Sequence, residues 1–185
     1  MGLPYTFDEP WVTERLTLRL LTSDDVDAAH RWMSDPDTVR YMLYEPRSRQ
    51  TVAEKVAEDG ASAVLAKDGD YLQPAIVVDG AVAGTIYFKL TSVDDLTAEI
   101  GWVLARGFHG HGYAHEAANA TLDRAFGQLG LRRVFAELDP RNDASVALCR
   151  RLGMRHEAHF VEHLAFKGEF ADTDIYAILA SEWAP

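Results

Sequence analysis

The stretch His109-Gly110-His111-Gly112-Tyr113-Ala114 constrains this chain more than any other. A strand-like run, Ala98 to Leu104, leads into it, and a helix-like run, Gly112 to Leu129, leads out. Strand, glycine loop and helix, in that order, suggest a phosphate cradle, with a plain tight turn as the alternative reading. Two glycines let the backbone turn tightly, and the following helix offers N–H groups without helical partners together with the positive end of its dipole. A pyrophosphate would be held there largely by main chain. Two familiar cradles do not fit. A Walker loop ends in Gly-Lys-Ser/Thr, whereas Tyr113-Ala114 follow Gly112, and the dinucleotide fingerprint needs a third glycine where His115 stands.

A length of 185 residues, 48% of them hydrophobic, suits a single domain over residues 1–185 with a substantial core. No apolar run is long enough for a membrane helix, and no basic-then-apolar leader opens the chain, so the expected setting is cytoplasmic with no membrane partner. The single cysteine, Cys149, excludes an internal disulfide and a multi-thiolate zinc site. Among the seven histidines, only His111 and His115 have helical spacing near the glycine loop, without the zincin pattern, so no metal is expected. A formal charge of −11 argues against a nucleic-acid partner and favours cationic substrates such as amines, although it also serves solubility.

Met1 to Pro10 reads as a loose lead-in. Arg15 to Leu21 alternates as a half-buried strand, Thr22 with Asp25 three residues on caps a helix through about Met33, and a shorter helix is expected near Thr38 to Met42. Tyr41 to Gln50 is irregular, a helix follows over about Thr51 to Lys67, and Tyr71 to Val78, Asp79-Gly80 and Ala81 to Leu90 make a hairpin. In the strand Thr97 to Leu104, Ala98, Ile100, Trp102 and Leu104 share one face and Glu99, Gly101 and Val103 the other. After the cradle helix come a strand at Val134 to Leu138, a helix at Asn142 to Leu152 closed by Gly153, and two long strands, Met154 to Phe166 and Thr173 to Ala180.

These pieces together resemble the GNAT superfamily of N-acetyltransferases, in particular the Rim-type branch, named for enzymes that acetylate ribosomal-protein N-termini. The residues that carry the likeness are Thr22 to Asp25, Trp32 to Pro36, Ala98 to Leu104, the glycine loop, Glu116-Ala117, Asn142 with Ser145, Arg151 to Met154, Asp174 to Leu179 and Glu182-Trp183. The loop follows the family's Gln/Arg-x-x-Gly-x-Gly/Ala pattern, except that His109 stands at the Gln/Arg position. The resemblance implies an α/β (α+β) fold. Its mixed, mostly antiparallel central sheet of about six to seven strands would be flanked by helices and splayed at the acyl-CoA cleft.

It further implies direct acetyl transfer from acetyl-CoA to a primary amine, without a metal. His109, Gly110, His111, Gly112, Tyr113 and Ala114 would bind the pyrophosphate, backbone at Trp102, Val103 and Leu104 the pantetheine arm, and Asn142 that arm or its own helix end. Ser145 matches the Rim-type serine beside the sulfur, while Cys149 stands where many relatives have a tyrosine. Arg150 and Arg151 could reach the ribose 3′-phosphate or merely end a helix.

Glu99, on an otherwise largely apolar strand, is the first candidate for the base that takes the amine proton, because such surroundings raise a carboxylate's proton affinity. His156, His159, Glu162 and His163 are other candidates. The region Tyr41 to Gln50 would border the acceptor, which is a protein N-terminus or a small molecule such as an antibiotic or polyamine. A CoA-binding module without catalysis is the rival reading, and a homodimer is compatible with the resemblance.

Overall fold

The computed structural model describes residues 2–184. In chain order the elements are β1 (Tyr5–Thr6), β2 (Trp11–Val12), β3 (Leu16–Arg19), α1 (Val26–Met33), α2 (Arg49–Ala61), β4 (Val64–Leu65), β5 (Tyr71–Leu72), β6 (Ala75–Val78), β7 (Ala81–Ser92), β8 (Thr97–Leu104), α3 (Tyr113–Asp123), β9 (Arg133–Leu138), α4 (Asp143–Arg151), β10 (Arg155–Phe166) and β11 (Glu169–Leu179). One nine-stranded sheet runs β10-β11-β9-β8-β7-β6-β3-β2, with β5 added against β7, while β1 and β4 form a separate pair. Every described pairing is antiparallel except β8 with β9.

Alternation along the strands divides the core into two layers. On one face Ala98, Ile100 and Leu104 of β8 pack in one cluster with Ala117, Ala118 and Leu122 of α3. The small residues of α3 let the helix lie close on the sheet. On the other face Val77 and Val103 meet Val26, Ala29, Trp32 and Met33 of α1 and Val52 and Val56 of α2. Fully buried aliphatic side chains such as Ile100 and Leu122 each contribute about 1.5–3 kcal/mol of transfer free energy. Helices therefore cover both faces of a mixed, mostly antiparallel sheet.

The sheet splays where the two parallel strands part. β8 and β9 are in register only at Thr97↔Arg133, Ala98↔Val134 and Glu99↔Phe135. β7 stays paired with β8 as far as Gly84↔Leu104, and β11 stays paired with β9 as far as Asp174↔Leu138. Residues 100–104 of β8 thus keep one edge in the sheet and turn the other toward a gap.

Several sequence expectations need correction. Met1 lies outside the described residues, and from Tyr5 on the opening segment is not a loose lead-in: β1 pairs with β4, Phe7 N–H donates to Ala63 O (2.8 Å), and Phe7 and Trp11 are buried against each other, ring centroids 4.7 Å apart. Aromatic anchoring, which alternation does not reveal in so short a run, holds them. The helix expected near Thr38 to Met42 is a pair of turns, Val39 N–H to Asp35 O and Met42 N–H to Val39 O. The helix expected over Thr51 to Lys67 starts earlier, capped by Ser48, and stops at Ala61 so that β4 can pair. Within it Gly60 marks a close approach, since a Cβ there would lie 2.3 Å from Leu21 O. The strand expected over Tyr71 to Val78 is broken between β5 and β6, where Pro74 lies. Its turn follows the expected form, with Asp79 and Gly80 both at positive φ.

Candidate active site

The glycine loop bridges β8 and α3 as its composition requires. Gly110 and Gly112 have φ of 80° and 81°, values that place each in the left-handed region, and Gly112 is the N-cap of α3. Glu116 N–H donates to Gly112 O (3.0 Å) as the first helical donor, so the N–H groups of Gly112, Tyr113, Ala114 and His115 before it have no helical acceptor. His109, the departure from the family pattern, has a structural side chain: its Nε2 lies 2.9 Å from Leu104 O and ties the loop to the end of β8.

Beyond that loop the open edge of β8 and the start of α4 face each other. Trp102, Val103 and Leu104 lie on the stretch of β8 that β9 has left. Asn142 caps α4, its Oδ1 accepting from Ser145 N–H (3.2 Å), so its carbonyl oxygen serves the helix end. The Trp102 indole N–H donates to Ser145 Oγ (3.3 Å). Cys149, one turn further along α4, is fully buried, and burial pushes its thiol up to about 12. Arg150 and Arg151 are exposed at the end of α4, and Arg151 lines a cavity with Arg15, Gly112 and His115.

On the other face of the sheet, beside Glu99, lies a pocket of about 450 Å³. Tyr87 and Lys89 of β7, Glu99 of β8 and Glu137 of β9 form its floor, with Asp139 just past β9. Asp172 and Thr173 of β11 form a wall; Tyr41 and Leu43 from the α1–α2 connection and Phe166 at the end of β10 close it over. Lys167, in the β10–β11 turn, donates from Nζ to Val39 O (2.7 Å) and so joins the two closing segments. Burial raises the Glu99 carboxyl above its ordinary range and the Glu137 charge raises it further, while Lys89 partly opposes both. Asp139 differs, because Arg141 holds it ionised and below its usual range despite burial.

Among the other candidate bases, His156, His159, Glu162 and His163 do not line this pocket. His159 Nδ1 lies 2.7 Å from Asp174 Oδ1, and that hydrogen bond raises its pKa, so the ring holds its proton more tightly than a free histidine. Its neighbour Asp172 is shared with the pocket wall.

A family model described as an acetyltransferase (GNAT) domain matches residues 15–155, which includes the first long strand, the cradle, α4 and the pocket floor. The chain belongs to the GNAT acetyltransferases. N-acetyltransferase YnaD of Bacillus subtilis is 30% identical over 92% of this chain and 97% of its own length. The crystal structure of a GNAT-family acetyltransferase from Bacillus anthracis superposes with a TM-score of 0.84 at 30% identity, covering 94% of this chain and all of that one. Two more distant matches carry acceptor names. The structure of RimL, a ribosomal L7/L12 α-N-protein acetyltransferase in complex with coenzyme A, has a TM-score of 0.78 at 20% identity, covering 92% of this chain and 98% of that one. Spermidine N(1)-acetyltransferase of Escherichia coli is 21% identical over 83% of this chain and 80% of its own length.

As a GNAT enzyme the protein is an N-acetyltransferase that uses acetyl-CoA. The residues fit that donor: a helix-N-terminus cradle with two positive-φ glycines lies just past the open edge of β8, where Trp102 reaches Ser145. Sequence reading missed Glu137, whose place beside Glu99 depends on where two parallel strands part. It also missed Arg15, tied to Glu116 from the far end of the chain. No helix among the described residues is long and apolar enough to cross a membrane.

Proposed function

We propose that the protein acetylates a primary amine on a small cationic molecule, with Glu99 taking the amine proton and Ser145 serving the departing sulfur. The observation that carries this reading is the pocket beside Glu99. Its volume of about 450 Å³ suits a small ligand, and it is lined by Glu99, Glu137 and Asp172 against Lys89, with Asp139 offset by Arg141 and with Tyr41 and Tyr87 as aromatic lining. A cation is drawn in by that field, and the net charge of −11 acts in the same direction at longer range.

An ammonium group is not a nucleophile, so the bound amine must first lose a proton. A carboxylate whose affinity for protons is raised by burial and by a like-charged neighbour suits that task. The nitrogen lone pair then forms a C–N bond to the thioester carbon. Main-chain N–H on the open edge of β8 is available to the oxyanion as it develops. As the C–S bond breaks, the nitrogen gives up its remaining extra proton and the Ser145 hydroxyl passes a proton to the thiolate, recovering its own from that nitrogen, so that the amide and free CoA thiol leave with the serine neutral. The cradle at residues 109–114 holds the pyrophosphate, and Asn142 fixes the start of α4 beside the pantetheine arm.

Likeness to RimL favours a second acceptor, a protein N-terminus. Release of free CoA, assayed side by side with polyamines, aminoglycosides and short peptides with free N-termini, separates the two. Turnover with small polycations and little with peptides is expected. Turnover with peptides alone would transfer the assignment to a protein substrate.

A further inference from the structure

The loop that opens α3 is held from outside by a turn far away in sequence. Glu116, in the first turn of α3, accepts from Thr13 Oγ1 (2.6 Å) and Arg15 N–H (2.9 Å) on Oε1 and from Arg15 Nε (2.7 Å) on Oε2, with Arg15 Nη2 also 2.7 Å from Oε2. Thr13 and Arg15 sit between β2 and β3, with Arg15 101 residues before Glu116. The same guanidinium donates from Nη1 to His111 O (3.0 Å) and lies 5.1 Å from the centre of the Tyr113 ring. Despite burial, these donors hold the Glu116 carboxyl below its ordinary range.

Two consequences follow from elementary geometry and charge. In a trans peptide the carbonyl of one residue and the N–H of the next point in opposite directions. Once His111 O is bound to Arg15, the Gly112 N–H is therefore fixed on the side away from the guanidinium. Second, a carboxylate in the first helical turn repels an anion approaching the helix N-terminus, and a bidentate arginine cancels that repulsion. A lysine could supply the charge but not the fork that reaches Glu116 and His111 together.

We infer that Arg15 is a positioning residue for the donor site: through His111 and Glu116 it presets the glycine loop for a pyrophosphate. This rests on the reading that the loop binds that group. Arg15 governs affinity for acetyl-CoA and leaves the chemical step to the groups around Glu99 and Ser145.

The test compares two acetyl donors, acetyl-CoA and S-acetylpantetheine, which lacks the pyrophosphate. Arg15→Met should raise the acetyl-CoA Kd by calorimetry, and its KM, by about 10- to 100-fold, the loss expected for removing hydrogen bonds from a charged group, while kcat is little changed. With S-acetylpantetheine, kcat/KM should be the same in wild type and variant. Arg15→Lys should show the same donor-selective loss to a smaller degree, and serves if Arg15→Met does not fold. Equal losses with both donors, or an unchanged acetyl-CoA Kd, overturn the role of Arg15. Failure of the cradle reading looks different: wild-type enzyme would itself use acetyl-CoA no better than S-acetylpantetheine.

Discussion

Trp102 on β8 and Ser145 on α4 are joined across the cleft, the indole N–H donating to the serine hydroxyl at 3.3 Å. An indole nitrogen can only donate, so Ser145 accepts there and keeps its own proton for another partner. Ser145→Ala should lower turnover about a hundredfold, the lower end of general-acid contributions, with a much smaller rise in the acetyl-CoA KM. Cys149→Ala should change turnover far less, because that thiol is buried and its pKa is pushed to about 12. Steady-state kinetics on both variants checks the assignment, and a more damaging Cys149→Ala in a folded protein would reverse it.

Gly112 carries the cradle through its φ of 81°. Proline would force φ to about −65° and remove the N–H, so Gly112→Pro should abolish acetyl-CoA binding in a folded variant. Gly112→Ala should be milder. Its Cβ would meet Arg15 Nη2 at an ordinary 3.5 Å, leaving about 1–2 kcal/mol of backbone strain as the cost. Calorimetry with acetyl-CoA measures both, and unchanged affinity in Gly112→Pro would remove the loop from the donor site.

Lys55 and Asp59 on α2 form an ion pair at 2.9 Å in which the aspartate side chain is fully buried. Burial by itself would lower the Lys55 ammonium, but the Asp59 hydrogen bond and charge more than offset it and raise its pKa. Tyr71 also donates to Asp59 Oδ1 (3.1 Å), and its ring lies beside Tyr87, which lines the pocket. Lys55→Met leaves Asp59 without its cation and should cost about 3–5 kcal/mol in urea unfolding. The double change Lys55→Met with Asp59→Leu should recover most of that loss. Full stability in Lys55→Met alone would show that the pair is not a structural anchor.

Glu137 and Lys89 flank Glu99 with opposite charges, which fixes the sign of two pH shifts. Removing a negative neighbour makes ionised Glu99 easier to form, so Glu137→Gln should move the acidic limb of the rate profile to lower pH. Lys89→Met should move it to higher pH. The pH dependence of kcat/KM in the two variants reads both directions. Shifts of the same sign would dissociate that limb from Glu99.

Local patterns disclosed most of this architecture because they report local physics. The two faces of Thr97 to Leu104 alternate as expected: Ala98, Ile100 and Leu104 are buried beneath α3, and Glu99 faces the pocket. Gly110 and Gly112 announced their turns, as Asp79-Gly80 did. What escaped depends on long-range placement. Nothing near Glu116 says that Arg15 will reach it, nothing in β9 says that Glu137 will stand beside Glu99, and Phe7 and Trp11 acquire their burial only from neighbours elsewhere. Where a short helix was expected near Thr38 to Met42, tertiary constraint left turns, and the Val39 carbonyl takes Lys167. Asn142, legible as either a ligand or a cap, caps α4 through its Oδ1.

The central claim, a general base at Glu99, is tested most directly by the pH dependence of kcat in Glu99→Gln with an accepted amine. Glutamine keeps the size and hydrogen-bonding capacity of the side chain but cannot take the proton. In the native enzyme the rate should rise with pH through a value above the ordinary carboxylate range, because the carboxyl must ionise before it can act and its pKa is raised. In Glu99→Gln, kcat should fall about a hundredfold and lose that limb, with acetyl-CoA affinity nearly unchanged. A Glu99→Gln enzyme with near-normal kcat and an unaltered profile would contradict the account and assign the proton to water or to a histidine of β10.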